Sequence, residues 1–464
     1  MMILLAYFLS FLLGCQIVSF ILKKSRALTP GLYTVMSLGI GLGASSLITF
    51  LAFLCADGFH RWELLKIHLL LIILFFLLNL DYYRGGFRSF DKNFISIHTL
   101  KTRSQIIFID IVWLSGFIFL TKIIYTLARS HPFGEWDAWA LWNMKTKFLI
   151  LGAGSWENVF QLHWHTQPDY PLFMPFLNVW VHAFSRAPLE EIAIATAVLF
   201  TVLNGALLFA GLKQYIPPLV AGLASFILIT NRFYLFMATA QYADIVLSFY
   251  LLLSCVILLK TLQEHNPSLA LLYGFISGLL MFIKNEGVTI AGLLLALSLA
   301  YLLLEKSSDK KIRSKMIFKI FTGIILTLPA ALILKTFLAP ANRDISFATL
   351  KLIIPLFSFE KCLAIGKAFY YAMADPTWQY LWGLLLVMAL AGFKKYFFKE
   401  TKVLTLFFLL YGIALFVIYL TTVHFDLTWR LIKTTPRILL YLLPSLIFLS
   451  FYVHWRKDET PGQR

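Results

Sequence analysis

Apolar residues in this chain come in long unbroken runs, separated by short polar stretches. The runs fall at about 2–22, 32–54, 62–80, 105–127, 189–211, 215–235, 244–261, 268–283, 288–304, 316–338, 378–393, 403–421 and 437–453. Each is near the length that crosses the hydrocarbon core of a bilayer as a helix, so the pattern predicts about thirteen transmembrane helices. The first run, Met2 to Leu22, lacks a basic leading segment and a small-x-small cleavage site, and reads as a retained span. A further run, Pro171 to Phe184, carries Pro175 and Asn178 and is too short to cross comfortably. The loop before it, with the remaining outer segments, is expected to carry short surface helices. No soluble domain, low-complexity tract or solenoid repeat interrupts the runs.

Composition strengthens this reading. The chain is 60% hydrophobic, 16% aromatic and only 14% charged, more apolar than a water-soluble core requires. The class is an all-α polytopic membrane protein, with membrane lipids as obligatory neighbours. The net charge of +17 would suggest nucleic acid in a soluble protein. Here the basic residues cluster between apolar runs, at Lys23, Lys24 and Arg26, Arg84 to Arg103, Lys306 to Lys319, Lys394 to Lys402, and Arg456 with Lys457. That is the signature of cytoplasmic loops, and nucleic acid is excluded as a partner. If 171–184 is re-entrant or lies on the surface, every basic cluster falls on one side. The N-terminus is then outside and the C-terminus inside. The four cysteines, Cys15, Cys55, Cys255 and Cys362, have no ligand spacing and indicate neither a disulfide framework nor a zinc site.

With that orientation, the unusual polar residues share the outer side. In "GEWDAWALWNMKTKF", from Gly134 to Phe148, Glu135 and Asp137 stand among Trp136, Trp139 and Trp142, with Lys145 and Lys147 following. Read as a helix, Trp136, Trp139 and Asn143 share one face and would pin it at headgroup level. "HWHTQPDYP" brings His163, His165, Asp169 and Tyr170 between prolines, and two loop histidines without a third ligand are a weak metal signal. Asp244, in "QYAD", begins an apolar run, where a helix N-terminus alone favours a carboxylate. Lys284 and Glu286, in "KNEG", interrupt an apolar region, with Gly287 suited to a tight turn. Arg430, Lys433 and Arg437 crowd the start of the last run, on the side where positive charge is uncommon. Ionisable residues at membrane depth are costly and tend to be paired or functional. Each group also has a plainer reading: solvated loop charge, helix-end carboxylate or contact with lipid headgroups.

Taken in order, these groups resemble the GT-C superfamily of membrane glycosyltransferases, in the branch of protein O-mannosyltransferases and lipid A aminoarabinose transferases. "GEWDAW" resembles the acid of the first large outer loop, "PDYPL" the proline-rich stretch after it, and "QYAD" an apolar pair ending at Asp. "GLLMFIKNEG" resembles the later turn, and "TTPRILLYLLP" the late arginine that opens the final span. The resemblance covers roughly 105–455, preceded by N-terminal helices and a basic loop over 1–104, with the outer loop at 128–188 and a tail at 456–464. It departs in about three extra leading spans, in Gln167 where relatives often have His, and in lacking a sizeable outer domain.

The resemblance implies inverting transfer of a sugar from a polyprenyl-phosphate donor to an acceptor hydroxyl, on the outer face of a bacterial cytoplasmic membrane. Asp137 would be the general base. Lys284 and Arg437 would hold the donor phosphate, with Arg343 and Arg430 as further cations. Asp244 and Glu135 would orient the acceptor or, with Asp137, bind a divalent cation, Mg2+ or Mn2+, if one is used. Trp136, Trp139, His165, Asp169, Tyr170 and Glu286 would complete the substrate contacts. Sugar, acceptor (glycan, lipid or protein) and metal dependence stay open. The competing reading is a transporter or lipid flippase without transfer chemistry.

Overall fold

The computed structural model describes residues 2–23, 28–81, 83, 100–306, 309–342, 357–422 and 426–456. Lys24, Arg26, the segment from Arg84 to residue 99, Arg343, His424 and Lys457 lie outside the described residues. Every element in the described chain is helical. The first group is α1 (Met2–Leu22), α2 (Pro30–Ala56), α3 (Arg61–Leu78) and α4 (Leu100–Ser130), followed after a loop by α5 (Met144–Leu151) and α6 (Phe173–Ser185). Next come α7 (Leu189–Leu212), α8 (Pro218–Thr230), α9 (Arg232–Thr239), α10 (Ala243–Glu264), α11 (Pro267–Met281) and α12 (Asn285–Leu304). The chain closes with α13 (Lys310–Ile325), α14 (Leu328–Ile333, continued by a wide turn to Leu338), α15 (Phe359–Ala374), α16 (Leu381–Ala391), α17 (Phe393–Tyr396), α18 (Thr401–Leu420) and α19 (Leu427–Trp455).

Eight of these helices are long and apolar enough to cross a membrane, or up to ten if two bent pairs each count as one span. This corrects the expectation of thirteen. All thirteen apolar runs are helical, but α11 has 15 residues and α16 has 11. The third shortfall, α3, carries Arg61, Glu63 and Lys66 within its 18 residues. The expected spans at 215–235 and 316–338 are each broken, bent by 59° at Asn231 and by 48° before Leu328. At Asn231 the side chain caps the Tyr234 N–H while its Nδ2 donates to the Trp378 carbonyl, so the polar residue both ends one helix and starts the next.

The core is helix on helix. α10 is buried along nearly its whole length, which its uniformly apolar sequence dictates, because no face of it is built for water. Small residues let α1 and α2 cross closely: a Cβ on Gly14 would sit 1.8 Å from the Ser37 carbonyl oxygen, and one on Gly41 1.7 Å from that of Ser10. In a bilayer such close approach is a main source of helix association.

The segment after Pro171 does not lie on the surface. It forms α6, most of whose residues are buried. Its first residue is inside the bundle, where the Ser46 hydroxyl donates to the Phe173 carbonyl and the Phe173 ring meets Tyr250. Its last turn reaches the α2–α3 connection, where Arg61 Nε donates to the Ala183 carbonyl at 2.5 Å. The chain thus enters the bundle and the helix returns toward the end carrying that connection, antiparallel to α7, with Thr196 donating to Asn178 Oδ1. Asn178 and Pro175 are tolerated because Asn178 finds this partner and Pro175 occupies the first turn.

Gly287 is not a turn residue. It lies in the first turn of α12 against α11, where a Cβ would stand 2.0 Å from the Leu280 carbonyl oxygen. Gly287→Ala should push α12 off α11 and cost about 1–3 kcal/mol, read as a lowered melting midpoint of the purified protein in detergent. An unchanged midpoint would show that the contact relaxes freely.

Candidate functional site

One end of the bundle gathers the start of α10, the start of α12, the loop after α4 and the stretch before α6. Asp244 is the second residue of α10, so the helix N-terminus favours its carboxylate. It is 1% exposed. Its Oδ1 accepts from Lys284 Nζ at 2.9 Å, and its Oδ2 accepts from Arg437 Nη2 at 2.7 Å and Nε at 3.1 Å. Lys284 is the N-cap residue of α12 and also meets Glu286 at 3.2 Å. Burial alone would lower the Lys284 ammonium pKa, but the Asp244 and Glu286 carboxylates reverse this and hold it above its ordinary value.

Arg437 spans the cluster. Its Nη1 lies 2.7 Å from Asp137 Oδ2 while the other edge of the guanidinium holds Asp244, the two-sided use that a planar fork permits. The Tyr242 ring lies beneath it, 4.6 Å from the guanidinium carbon. The Tyr242 hydroxyl accepts from the Asp137 backbone N–H at 3.4 Å. Burial and the Asp137 carboxylate push the Tyr242 phenol up to about 12, so it stays neutral. Arg437 does not open its helix as expected. α19 starts ten residues earlier at Leu427, with Asp426 accepting from the Trp429 N–H, and Pro436 and Pro444 both remain inside it.

A second group adjoins the first through Asn285, between Lys284 and Glu286. Asn285 Nδ2 donates to Asp169 Oδ2 at 2.7 Å, and Asn342 Nδ2 donates to the same oxygen at 2.9 Å. Lys335 Nζ donates to the Asp169 carbonyl and to Asn285 Oδ1. Tyr170 presents its ring to Lys284 at 5.7 Å. Lys145, on α5, is fully buried and donates to the Gln167 carbonyl at 2.5 Å. That carbonyl is placed by Gln167's left-handed backbone, φ 50°. Burial pushes the Lys145 ammonium down to about 7; Asp169 works against this and Lys335 adds to it.

The tryptophan stretch is built differently from the expected helix. Residues Ala138–Asn143 form a wide turn with i→i+5 hydrogen bonds. Trp136 and Trp139 stay exposed together, their rings 4.5 Å apart and edge to face, but the altered period turns Asn143 inward. Its Nδ2 donates to Gln241, whose own amide donates to the Pro132 carbonyl. Trp142 is fully buried.

Of the residues singled out in the sequence, Asp137, Asp244, Lys284, Glu286 and Arg437 meet in one ion cluster, and Asp169 and Tyr170 border it. Glu135 is exposed and held through its backbone, its N–H donating to the Ala240 carbonyl and its carbonyl accepting from the Ala138 N–H. His165 is exposed and stacks with Trp164 and His163. Arg430 donates to Thr422 and faces Tyr419, two turns from Arg437. Arg343 lies outside the described residues. Sequence reasoning passed over Lys335, Asn285 and Tyr242 and gave Lys145 no role. The signal for Lys335 was present, a lysine inside an apolar run.

Asp137 and Asp244 do not form a ready pocket for a divalent cation, because the Arg437 guanidinium lies between them and pairs with both. Among the described residues no group of three or more His, Cys, Asp or Glu side chains is placed to hold a metal ion. No protein-family model, curated protein or solved structure matches the chain. The fold defines an all-α polytopic architecture of membrane type with a charged site at one end.

Proposed function

We propose that this protein is an inverting glycosyltransferase that moves a sugar from a polyprenyl-phosphate donor to an acceptor hydroxyl at the outer face of a bacterial cytoplasmic membrane. One observation carries the reading. Asp137, Asp244, Lys284, Glu286 and Arg437 come from four separate stretches of chain and converge at one end of the bundle, Asp244, Lys284 and Glu286 from helix starts and Arg437 from ten residues inside α19. That is where a lipid-linked sugar presents its phosphate, with the tail in the bilayer.

In this reaction the acceptor oxygen attacks the anomeric carbon, the bond from that carbon to the phosphate oxygen breaks, and the lipid phosphate leaves with the electron pair. Asp137, the more accessible of the two aspartates, takes the proton of the acceptor hydroxyl. Asp244 is too enclosed by Lys284 and Arg437 to serve as that base. It is the post on which Arg437 is oriented, and Arg437 in turn fixes Asp137. Trp136 and Trp139 lie where exposed aromatic rings hold a loop at headgroup level.

The two bent helix pairs favour a second reading, a transporter, since broken helices commonly line transport sites. The charged cluster, however, contains no residue from either bend. Proteoliposomes supplied with labelled polyprenyl-phosphate sugars and a mixture of glycan, lipid and peptide acceptors decide between them. Wild type should transfer label, and Asp137→Asn should lower the rate on the order of 10²–10⁴-fold with an unchanged melting midpoint. Full transfer by the variant removes Asp137 as base. Label that crosses the bilayer without being transferred supports the transporter.

A further inference from the structure

The cations expected to hold a phosphate, Lys284 and Arg437, are already committed. With Asp137, Asp244 and Glu286 they make three carboxylates against two cations, a formal −1. The neighbouring group has the opposite balance: Lys145 and Lys335 around the one carboxylate of Asp169, a formal +1. Within that group several buried polar atoms lack the partners that buried groups normally find. Lys145 is fully buried yet donates to one backbone carbonyl, and two of its three N–H groups have no acceptor among the described residues. Trp142, one turn earlier and also fully buried, has no acceptor for its indole N–H among the described residues. The Trp142 ring centre is 6.0 Å from Lys145 Nζ. On the acidic side, Glu286 Oε2 is a buried acceptor with no donor among the described residues.

We infer that Lys145, Lys335 and the Trp142 indole N–H form an oxyanion subsite for a phosphate ester, set beside the carboxylate cluster rather than within it. This rests on the transfer reading above and assigns its leaving group. The chemistry divides cleanly. Unused donors and surplus positive charge gather around Lys145, where they suit phosphate oxygens. An unused acceptor, Glu286 Oε2, and surplus negative charge lie across Asn285, where they suit the hydroxyls of a sugar. An incoming phosphate would supply the negative charge that burial denies Lys145 and an acceptor for Trp142. A structural ion pair explains neither feature, since Lys145 makes no direct bond to a carboxylate among the described residues. Lys335 is held in place by the Asp169 carbonyl and Asn285 Oδ1, so it can face an anion without reorganising.

The test is binding rather than turnover. Purified full-length protein in detergent is titrated with a short-chain polyprenyl phosphate bearing no sugar and, separately, with inorganic phosphate. The readouts are isothermal calorimetry and ³¹P line broadening. Wild type should bind, and Lys145→Met and Lys335→Met should each weaken binding about tenfold or more while retaining the wild-type melting midpoint or exceeding it. Trp142→Phe, which keeps the ring and removes the N–H, should weaken it less. Binding of the lipid phosphate but not of inorganic phosphate assigns the lipid carrier as source; equal binding of both assigns a free phosphate. Undiminished binding by both lysine variants overturns the subsite, and so does absence of phosphate binding by the wild type. Phosphate binding that depends on Lys145 in a protein that transfers no sugar would leave the subsite standing and remove the transferase reading.

Discussion

Asp244→Ala should be the most damaging single substitution in this protein, costing about 3–5 kcal/mol. The side chain is 1% exposed and is shared by Lys284, 2% exposed, and the Arg437 guanidinium. Removing it leaves two cations facing each other out of water with their common partner gone. Breaking a buried pair from one side is far costlier than replacing both sides, because the stranded charge keeps its desolvation penalty. Asp244→Asn should be milder, since its amide oxygen still accepts one of the three hydrogen bonds. The companion variant Asp244→Leu with Lys284→Met removes one charge of each sign and should recover part of the loss. Melting midpoints in detergent measure all three. Equal midpoints for wild type and Asp244→Ala would mean that the cluster contributes nothing to holding α10, α12 and α19 together.

Lys145→Met is expected to act in the opposite direction. The ammonium of Lys145 is pushed from an ordinary 10.5 down to about 7 by burial. Between those two values the unfolded chain binds a proton that the folded protein does not, so stability rises with pH across that window. Below about 7 both states are protonated, and the folded protein carries the whole cost of a buried charge, on the order of 3–5 kcal/mol. Methionine has nearly the same volume and no charge to bury. The variant should therefore melt well above wild type at pH 6, with the gap shrinking as pH rises and nearly gone by pH 10. Asp169 and Lys335 pull on Lys145 in opposite directions, so neither by itself reverses the sign. A gap independent of pH would show that Lys145 titrates alike in the folded and unfolded chains and so is not buried in solution. A residue that destabilises its fold in this way is commonly kept for function, which is why the same substitution serves as the binding test.

Much of the architecture was legible along the chain. Hydropathy is a local property, and a run of apolar residues must be helical in lipid to satisfy its own backbone, so all thirteen apolar runs are helices. Their number as spans was overcounted because bending at Asn231 and before Leu328, and the shortness of α11 and α16, depend on what packs against them. The segment 173–185 shows the same limit. Its length ruled out an easy crossing, but only the contacts of Phe173 with Ser46 and Tyr250 place its start inside the bundle.

The charged residues divide along the same line. Asp137, Asp244, Lys284, Glu286 and Arg437 stood out in sequence because an ionisable group beside an apolar run is expensive and needs a partner. Which partner each has was not there to be read. Asp137 and Arg437 are 300 positions apart in the sequence, and Coulomb attraction acts on distance in space, not along the chain. Lys145 is the sharper case. Its neighbours in sequence mark it as an ordinary surface cation, and Lys147, two residues on, is exposed. The wide turn before α5 and the left-handed carbonyl of Gln167 take Lys145 out of water and beside Asp169 and Lys335. The sequence by itself determined a helical chain of membrane type with costly charges at helix ends. The tertiary structure alone decided which charges neutralise one another and which are left open to a ligand, because burial and pairing exist only once distant segments meet.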